Sequence, residues 1–181
     1  NHTIELDWGT TLAPQLIFDP ENLSSWQQLA IGQGPIKTCP LAIALNIGAV
    51  LHPDGAMLTP YLVQRITTES GKVTYENSGV EVLSVPLADA GVREALASML
   101  EATAEGYGLR FPGARVLAKT GTATIQGSDK NNVFLSFSVE TKDGKHYAGC
   151  FSREKVSGTS SQFKPIAKKL IEKILEEEKK E

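Results

Sequence analysis

The sequence is short of the features that would tie it to several large classes of protein. It has two cysteines, Cys39 and Cys150, in 181 residues. That is too few for a disulfide framework. They offer no closely spaced Cys pair, so a zinc site is disfavoured as well. Both read as independent thiols in or near a core. The three histidines, His2, His52 and His146, lie far apart, and none of them alone suggests catalysis. Positive charge is not in excess: the net charge is -3, so there is no broad basic field to hold nucleic acid. No apolar run reaches the ~18 residues that a membrane span requires. The longest, Leu41 to Leu51, is interrupted by Asn46 and Gly48. Neither a metal, nor a cofactor, nor nucleic acid is expected as a partner. Asn1-His2-Thr3 offers no initiator Met and no basic leader segment. Such a start reads as an excised or processed piece of a longer protein.

What is present suits one globular domain. Hydrophobic residues at 41% are enough for a core, and the length is that of a single domain, 1–181. Residues 1–28 read as an irregular lead-in. Pro14 and the run Asp19-Pro20-Glu21-Asn22 mark turns, and Ser24 or Ser25 suits the cap of a short helical turn through Leu29. Thr38 suits an N-cap, and Pro40 the first turn, of a helix running to Leu51. That helix is apolar nearly all round and should be buried. Its small residues Ala42, Ala44, Gly48 and Ala49 would let a neighbouring backbone come close. Residues 57–67 and 72–76 read as a strand pair turning at Ser70-Gly71. Leu87 to Ala104 reads as a helix with the stripe Ala88, Val92, Ala95, Leu96, Met99 and Leu100. Asp89 falls in its first turn, and Gly106-Tyr107-Gly108 stops it. Residues 29–110 are thus a helical and hairpin subregion.

The period then changes. Residues 116–125, 133–139 and 146–151 alternate as strands. A polar loop over 127–132 and the turn Lys142-Asp143-Gly144-Lys145 join them, which predicts an antiparallel meander over 116–152. An amphipathic helix over 161–178 closes the chain. Phe163, Ile166, Ala167, Leu170, Ile171, Ile174 and Leu175 form its apolar side, Ser161 its N-cap, and Glu176 to Glu181 a frayed tail. The fold class is α+β, an antiparallel sheet with helices packed on it.

Chemistry concentrates in Lys119-Thr120-Gly121-Thr122-Ala123. On a strand, alternation sends Lys119 and Gly121 to one face and Thr120 and Thr122 to the other. Gly121 leaves room for another backbone to approach. A lysine, hydroxyls and bare N–H groups together suit an anionic, peptide-like ligand. Its carboxylate would meet Lys119 and a Thr hydroxyl, and its carbonyl oxygen a backbone N–H.

This string resembles the K-T-G motif of the penicillin-binding protein transpeptidase domain, whose serine-dependent class also carries S-x-x-K and S-D-N. Other segments fall in the family's order. Leu29-Ala30-Ile31-Gly32-Gln33-Gly34 is similar to its glycine-glutamine-glycine segment. Thr38-Cys39-Pro40-Leu41 is similar to its threonine-proline-leucine helix start, with Cys39 as an extra residue. The hairpin region Gly55 to Glu76 resembles the one usually found next, and the resemblance covers about residues 29–175. It implies that Lys119, Thr120 and the Thr122 hydroxyl bind a ligand carboxylate. It also implies that the Thr122 N–H is an oxyanion donor and that Gly121 keeps the strand open.

The resemblance equally shows what is missing. The family's S-x-x-K precedes K-T-G at the start of a buried helix. Ser152-Arg153-Glu154-Lys155 has the spacing but follows K-T-G, at the end of a predicted strand in a polar loop. No Ser-x-Asn precedes Lys119, and Ile4-Glu5-Leu6 resembles the segment just after that motif. The expectation is a partial transpeptidase domain with no catalytic nucleophile and hence no covalent intermediate of its own. Two functions follow. One is a portion of a peptidoglycan D,D-transpeptidase whose parent acylates on serine and cross-links stem peptides. The other is a serine-less homologue acting as a binding or scaffold module in cell-wall assembly. An unrelated α+β domain with a chance K-T-G is the plain alternative. The implied partners are a stem peptide or β-lactam and other cell-wall synthesis proteins. A second copy is also expected, because loss of the serine-bearing helix would expose the 41–51 helix. The resemblance places the parent on the extracytoplasmic face of the bacterial membrane, with its anchor outside this chain.

Overall fold

Caps and close approaches set the element boundaries in the computed structural model. It describes residues 19, 21–34, 36–77, 79, 81–125 and 127–178, and the backbone of strands β1 (Glu5–Leu6), β2 (Gly9–Thr10) and β3 (Gln15–Leu16). Residue contacts divide the chain into two compact units. One comprises Asn1–Cys39 and Met57–Ser84, the other Pro40–Ala56 and Val85–Glu181.

In the first unit β1 pairs with β2, and β3 with β4 (Ile36–Lys37), all antiparallel. Helix α1 (Leu23–Ala30) begins earlier than the serines suggest, because Asn22 caps it. The Asn22 side chain accepts from the Ser24 N–H at 2.9 Å. The lead-in is therefore less irregular than expected. Strand β5 (Met57–Leu58) does not run on into β6 (Arg65–Thr67), as the 57–67 pattern predicts. It pairs with the distant β8 (Val82–Ser84), and the Thr59 N–H bonds to the Glu81 carbonyl at 2.8 Å. Pro60 has no N–H with which to continue that ladder. The hairpin of β6 and β7 (Val73–Glu76) forms as expected, tied by Arg65 and Glu76 across its face.

The second unit holds the predicted meander. Strands β9 (Ala114–Thr124), β10 (Asn131–Thr141) and β11 (His146–Val156) form an antiparallel sheet in the order β11-β10-β9. Gly144 adopts φ +77 in the β10–β11 turn, a left-handed position that the Asp-Gly pair supplies without steric cost. Period two sorts the core. Val116 and Ala118, with Val133, Leu135, Phe137 and Val139, face helix α4 (Lys164–Glu177) and pack on Phe163, Ala167 and Ile171. Leu117 faces the other way, onto Ile47, Val50 and Leu51 of α2 (Pro40–Leu51) and Ala97 of α3 (Ala90–Gly106). Gly48 makes the close approach its size allows, since an added Cβ would lie 3.2 Å from Ala148.

Several local expectations need correction. Thr38 does not sit at the start of α2; its hydroxyl donates to the Cys39 carbonyl. Only half of α2 is covered: Ala42 and Ile47 to Leu51, except Gly48, are buried, while Leu41, Ile43 and Leu45 are half-buried. Asp89 is the N-cap of α3, not part of its first turn, and accepts from the Val92 N–H at 2.9 Å. The stripe predicted for α3 is rotated. Ala97 and Ala104 are buried, whereas Val92 is 59% and Met99 69% exposed. Thr159, not Ser161, caps the 3-10 turn Ser160–Phe163 that leads into α4. Ile166 and Leu170 lie at the exposed edge of that helix. The supposed tail is anchored through residue 178: the Glu178 carboxylate accepts from the Tyr147 hydroxyl and pairs with Lys145 at 2.9 Å. Residues 179–181 lie outside those described. Among the described residues no helix is long and apolar enough to cross a membrane.

Candidate functional site

All of Lys119 to Ala123 lies on β9. Pairing to β10 is continuous from Ala114 opposite Thr141 to Thr124 opposite Asn131. Two bonds fix which backbone groups point where. The Ile125 N–H bonds to the Lys130 carbonyl at 3.1 Å, and the Lys142 N–H to the Gly113 carbonyl at 3.0 Å. In an antiparallel ladder residues alternate between facing the partner and facing away. Odd positions of β9 therefore bond to β10, and the N–H and C=O of Ala118, Thr120, Thr122 and Thr124 point outward. Among the described residues no strand pairs with that outer edge.

Side chains follow the same alternation. Lys119 stands with Ser136 on the α2 and α3 face. There a groove of about 290 Å³ is lined by Ile43, Asn46, Ile47, Leu96, Leu100, Lys119 and Ser136. The Lys119 ammonium folds over the edge and donates to the outward Thr120 carbonyl at 2.8 Å. Thr120 and Thr122 stand on the opposite, α4 face. The Thr120 hydroxyl lies 2.7 Å from the Tyr107 hydroxyl, and the Thr122 hydroxyl 3.3 Å from that of Ser160. The Lys164 ammonium sits 4.3 Å above the Tyr107 ring. Lys119 and the two threonines thus flank one strand edge from its two faces.

Gly121 has an internal reason to be glycine. A Cβ there would come within 2.1 Å of the Phe134 ring, which covers that position on the Lys119 face. At the edge itself the Lys119 ammonium takes the Thr120 carbonyl. Behind it, Arg115 clamps β9 to α3, with Glu94 at 2.7 Å and Glu101 at 3.0 Å. Hydrogen bonding to Arg115, then its charge, holds the Glu94 carboxyl below the usual range and raises the guanidinium in turn.

The Ser-x-x-Lys spacings are placed as follows by the fold. Ser152 to Lys155 is part of β11 itself and not of a loop. Ser152 is exposed and pairs with Phe134 of β10, so β10 separates it from β9. The chain has a second Ser-x-x-Lys spacing, Ser161-Gln162-Phe163-Lys164, where the 3-10 turn meets α4. Ser161 is exposed, and Lys164 is engaged with the Tyr107 ring. Among the described residues no group of three or more His, Cys, Asp or Glu side chains is placed to hold a metal ion. Cys39 and Cys150 form no disulfide. Tyr107 and Ser160, which the sequence gives no reason to join to the K-T-G string, are the hydroxyl partners of its two threonines. Tyr107 carries a signal only as the interruption of a helix.

Comparison with known proteins agrees with this architecture. The chain is similar to the D,D-transpeptidase domain of a peptidoglycan glycosyltransferase from Eggerthella lenta, with a TM-score of 0.63 at 19% identity. The match covers 91% of this chain and 37% of that one. A peptidoglycan synthetase from Bifidobacterium adolescentis aligns with a TM-score of 0.47 at 21% identity, over 72% of this chain and 26% of that one. The chain therefore spans well under half the length of either. Among curated proteins none matches. The family described as "Penicillin binding protein transpeptidase domain" matches residues 15–172. With that match over most of its length, and with the α+β fold it shares with the first of these structures, the chain belongs to the penicillin-binding protein transpeptidase domain family.

Proposed function

We propose that the outer edge of β9 recognises the carboxylate end of a peptidoglycan stem peptide, or a β-lactam in its place, as the recognition part of a D,D-transpeptidase. The observation that carries this reading is an unpaired strand edge bearing a lysine beside outward N–H and C=O groups. An extended peptide meets such an edge as a further strand. Its carboxylate finds Lys119 and, from the other face, the Thr120 and Thr122 hydroxyls. The N–H of Thr122 is available to a carbonyl oxygen that gains negative charge. Gly121, covered by Phe134 on its face, adds no side chain at the edge.

Acylation needs a nucleophile with its base at the same edge. Ser152 lies beyond β10 from that edge, and Lys164 of the second Ser-x-x-Lys spacing is turned onto the Tyr107 ring, so the nucleophile is assigned to a partner segment outside residues 1–181. Titration of the full chain with a labelled penicillin tests both parts. Reversible amide shifts confined to Lys119–Thr122 are expected, with no label surviving denaturation. Lys119→Ala should weaken the binding about tenfold, the loss of one charge-assisted hydrogen bond. Absence of shifts at these residues would remove the site, and label retained after denaturation would remove the claim of a missing nucleophile.

A scaffold or binding module in cell-wall assembly is the second reading, favoured by the same lack of a placed nucleophile. A Ser-x-x-Lys encoded in frame upstream of Asn1 decides for the enzyme. Both readings put the molecule on the extracytoplasmic face of the bacterial membrane, where peptidoglycan is assembled. The half-covered start of α2 further supports a homodimer of this chain.

A further inference from the structure

We infer that Tyr107 is a positioning residue that aims the Thr120 hydroxyl at the ligand carboxylate, with Lys164 strengthening Tyr107 as a donor. The inference rests on the reading of the β9 edge given above. Thr120 has one hydroxyl hydrogen and two lone pairs. Whether it serves a carboxylate depends on where that hydrogen goes. If Thr120 donated to Tyr107, its oxygen would present only lone pairs to the edge, and an anion would be repelled. The 2.7 Å contact between the two hydroxyls is compatible with either direction.

Chemistry decides the direction. A phenol is a much stronger acid than an aliphatic alcohol, so the phenol donates in such a pair. The Lys164 ammonium over the ring, at 4.3 Å, draws electron density from it and reinforces that sense. Tyr107 is held for the task. It caps the end of α3 with its own N–H, which bonds to the Ala104 carbonyl at 3.0 Å, and its ring packs against the sheet core. With Tyr107 donating, the Thr120 hydrogen is free to point outward. Three elements thereby converge on one hydroxyl: the end of α3, the start of α4 and the K-T-G strand.

Tyr107→Phe keeps the ring and the ammonium above it and deletes only the donor. Two quantities are read on the full chain by NMR. The first, without ligand, is the Thr120 χ1 angle from side-chain couplings. The second is binding of a peptide ending in D-alanyl-D-alanine, as the free acid and as its C-terminal amide. One Thr120 rotamer is expected in the wild type and an average of several in Tyr107→Phe. Acid binding should weaken about fivefold while amide binding is unchanged, the size of one misdirected hydrogen bond. Lys164→Met should weaken acid binding less, in the same direction. An averaged Thr120 in the wild type, or equal acid affinity in Tyr107→Phe, would overturn the inference. A fixed Thr120 in a wild type that binds neither peptide would instead overturn the carboxylate reading of the edge, and leave the Tyr107–Thr120 orientation standing.

Discussion

Two residues of the sheet carry opposite consequences for stability. Gly121 is required by its neighbour: a methyl group would enter the Phe134 ring at 2.1 Å. Gly121→Ala should therefore cost about 1–3 kcal/mol, the usual range for overpacking. Much of that should return in Gly121→Ala with Phe134→Leu, because the two residues are in contact. Urea unfolding of the four proteins of the cycle measures it, and equal losses with and without the ring would exclude the mechanism. Ser138 is the reverse case. It is 1% exposed, and its hydroxyl is the one buried side-chain polar atom without a hydrogen-bond partner among the described residues. An unmet buried hydroxyl costs roughly 1–3 kcal/mol. Ser138→Ala should raise the unfolding free energy by about 1 kcal/mol, read as a higher urea midpoint; a lower midpoint would mean that the hydroxyl has a partner after all.

At the scale of elements, the strands were the legible part and the helix faces were not. The β9–β11 meander and the Asp143-Gly144 turn follow from period two and one turn signal, and both depend on neighbours in sequence. Strand β5 could not be placed that way, since its partner β8 lies 24 residues on. Helix α3 carries apolar residues on two adjacent sides. Nothing local says that Leu96, Ala97 and Leu100 meet the core while Val92 and Met99 stay in water. Two caps differ by two residues because Asn22 and Thr159 each compete with a nearby serine of similar propensity, and Asp89 is a cap because the apolar pattern from Leu87 starts before the helix does. The end of α4 depends on charge. The Tyr147 hydroxyl first, then Lys145, holds the Glu178 carboxyl below its ordinary value of 4.5. A lowered folded value means the contact stabilises above the unfolded value and is lost as the pH falls through the folded one. Once rates are corrected for the intrinsic slowing of amide exchange in acid, the protection of Ile174 to Glu178 should thus fall as the pH drops on the acid side of 4.5. Glu178→Gln should show the low protection throughout, and protection in the parent chain that stays flat on that side would refute the linkage.

For the whole molecule, the K-T-G string was visible in the sequence, and the ligand proposed for it starts from those residues. The arrangement around it was not: Tyr107 and Ser160 reach Thr120 and Thr122 from 13 and 38 positions away, through a helix end and a turn that only folding brings together. Half-covered apolar positions at the start of α2 predict self-association, so sedimentation should show a dimer at high concentration, and a monomer throughout would reject it. Lys119 has a further consequence here. An open strand edge is a template for adding other strands, and proteins often guard such edges with lysine. The ammonium folded over the Thr120 carbonyl occupies one of the outward acceptors that an intruding strand would need. The same side chain that is proposed to meet a carboxylate thus hinders identical sheets from stacking edge to edge. Lys119→Ala should be less soluble as well as weaker in binding, forming fibre-like or turbid material under conditions where the parent chain stays clear.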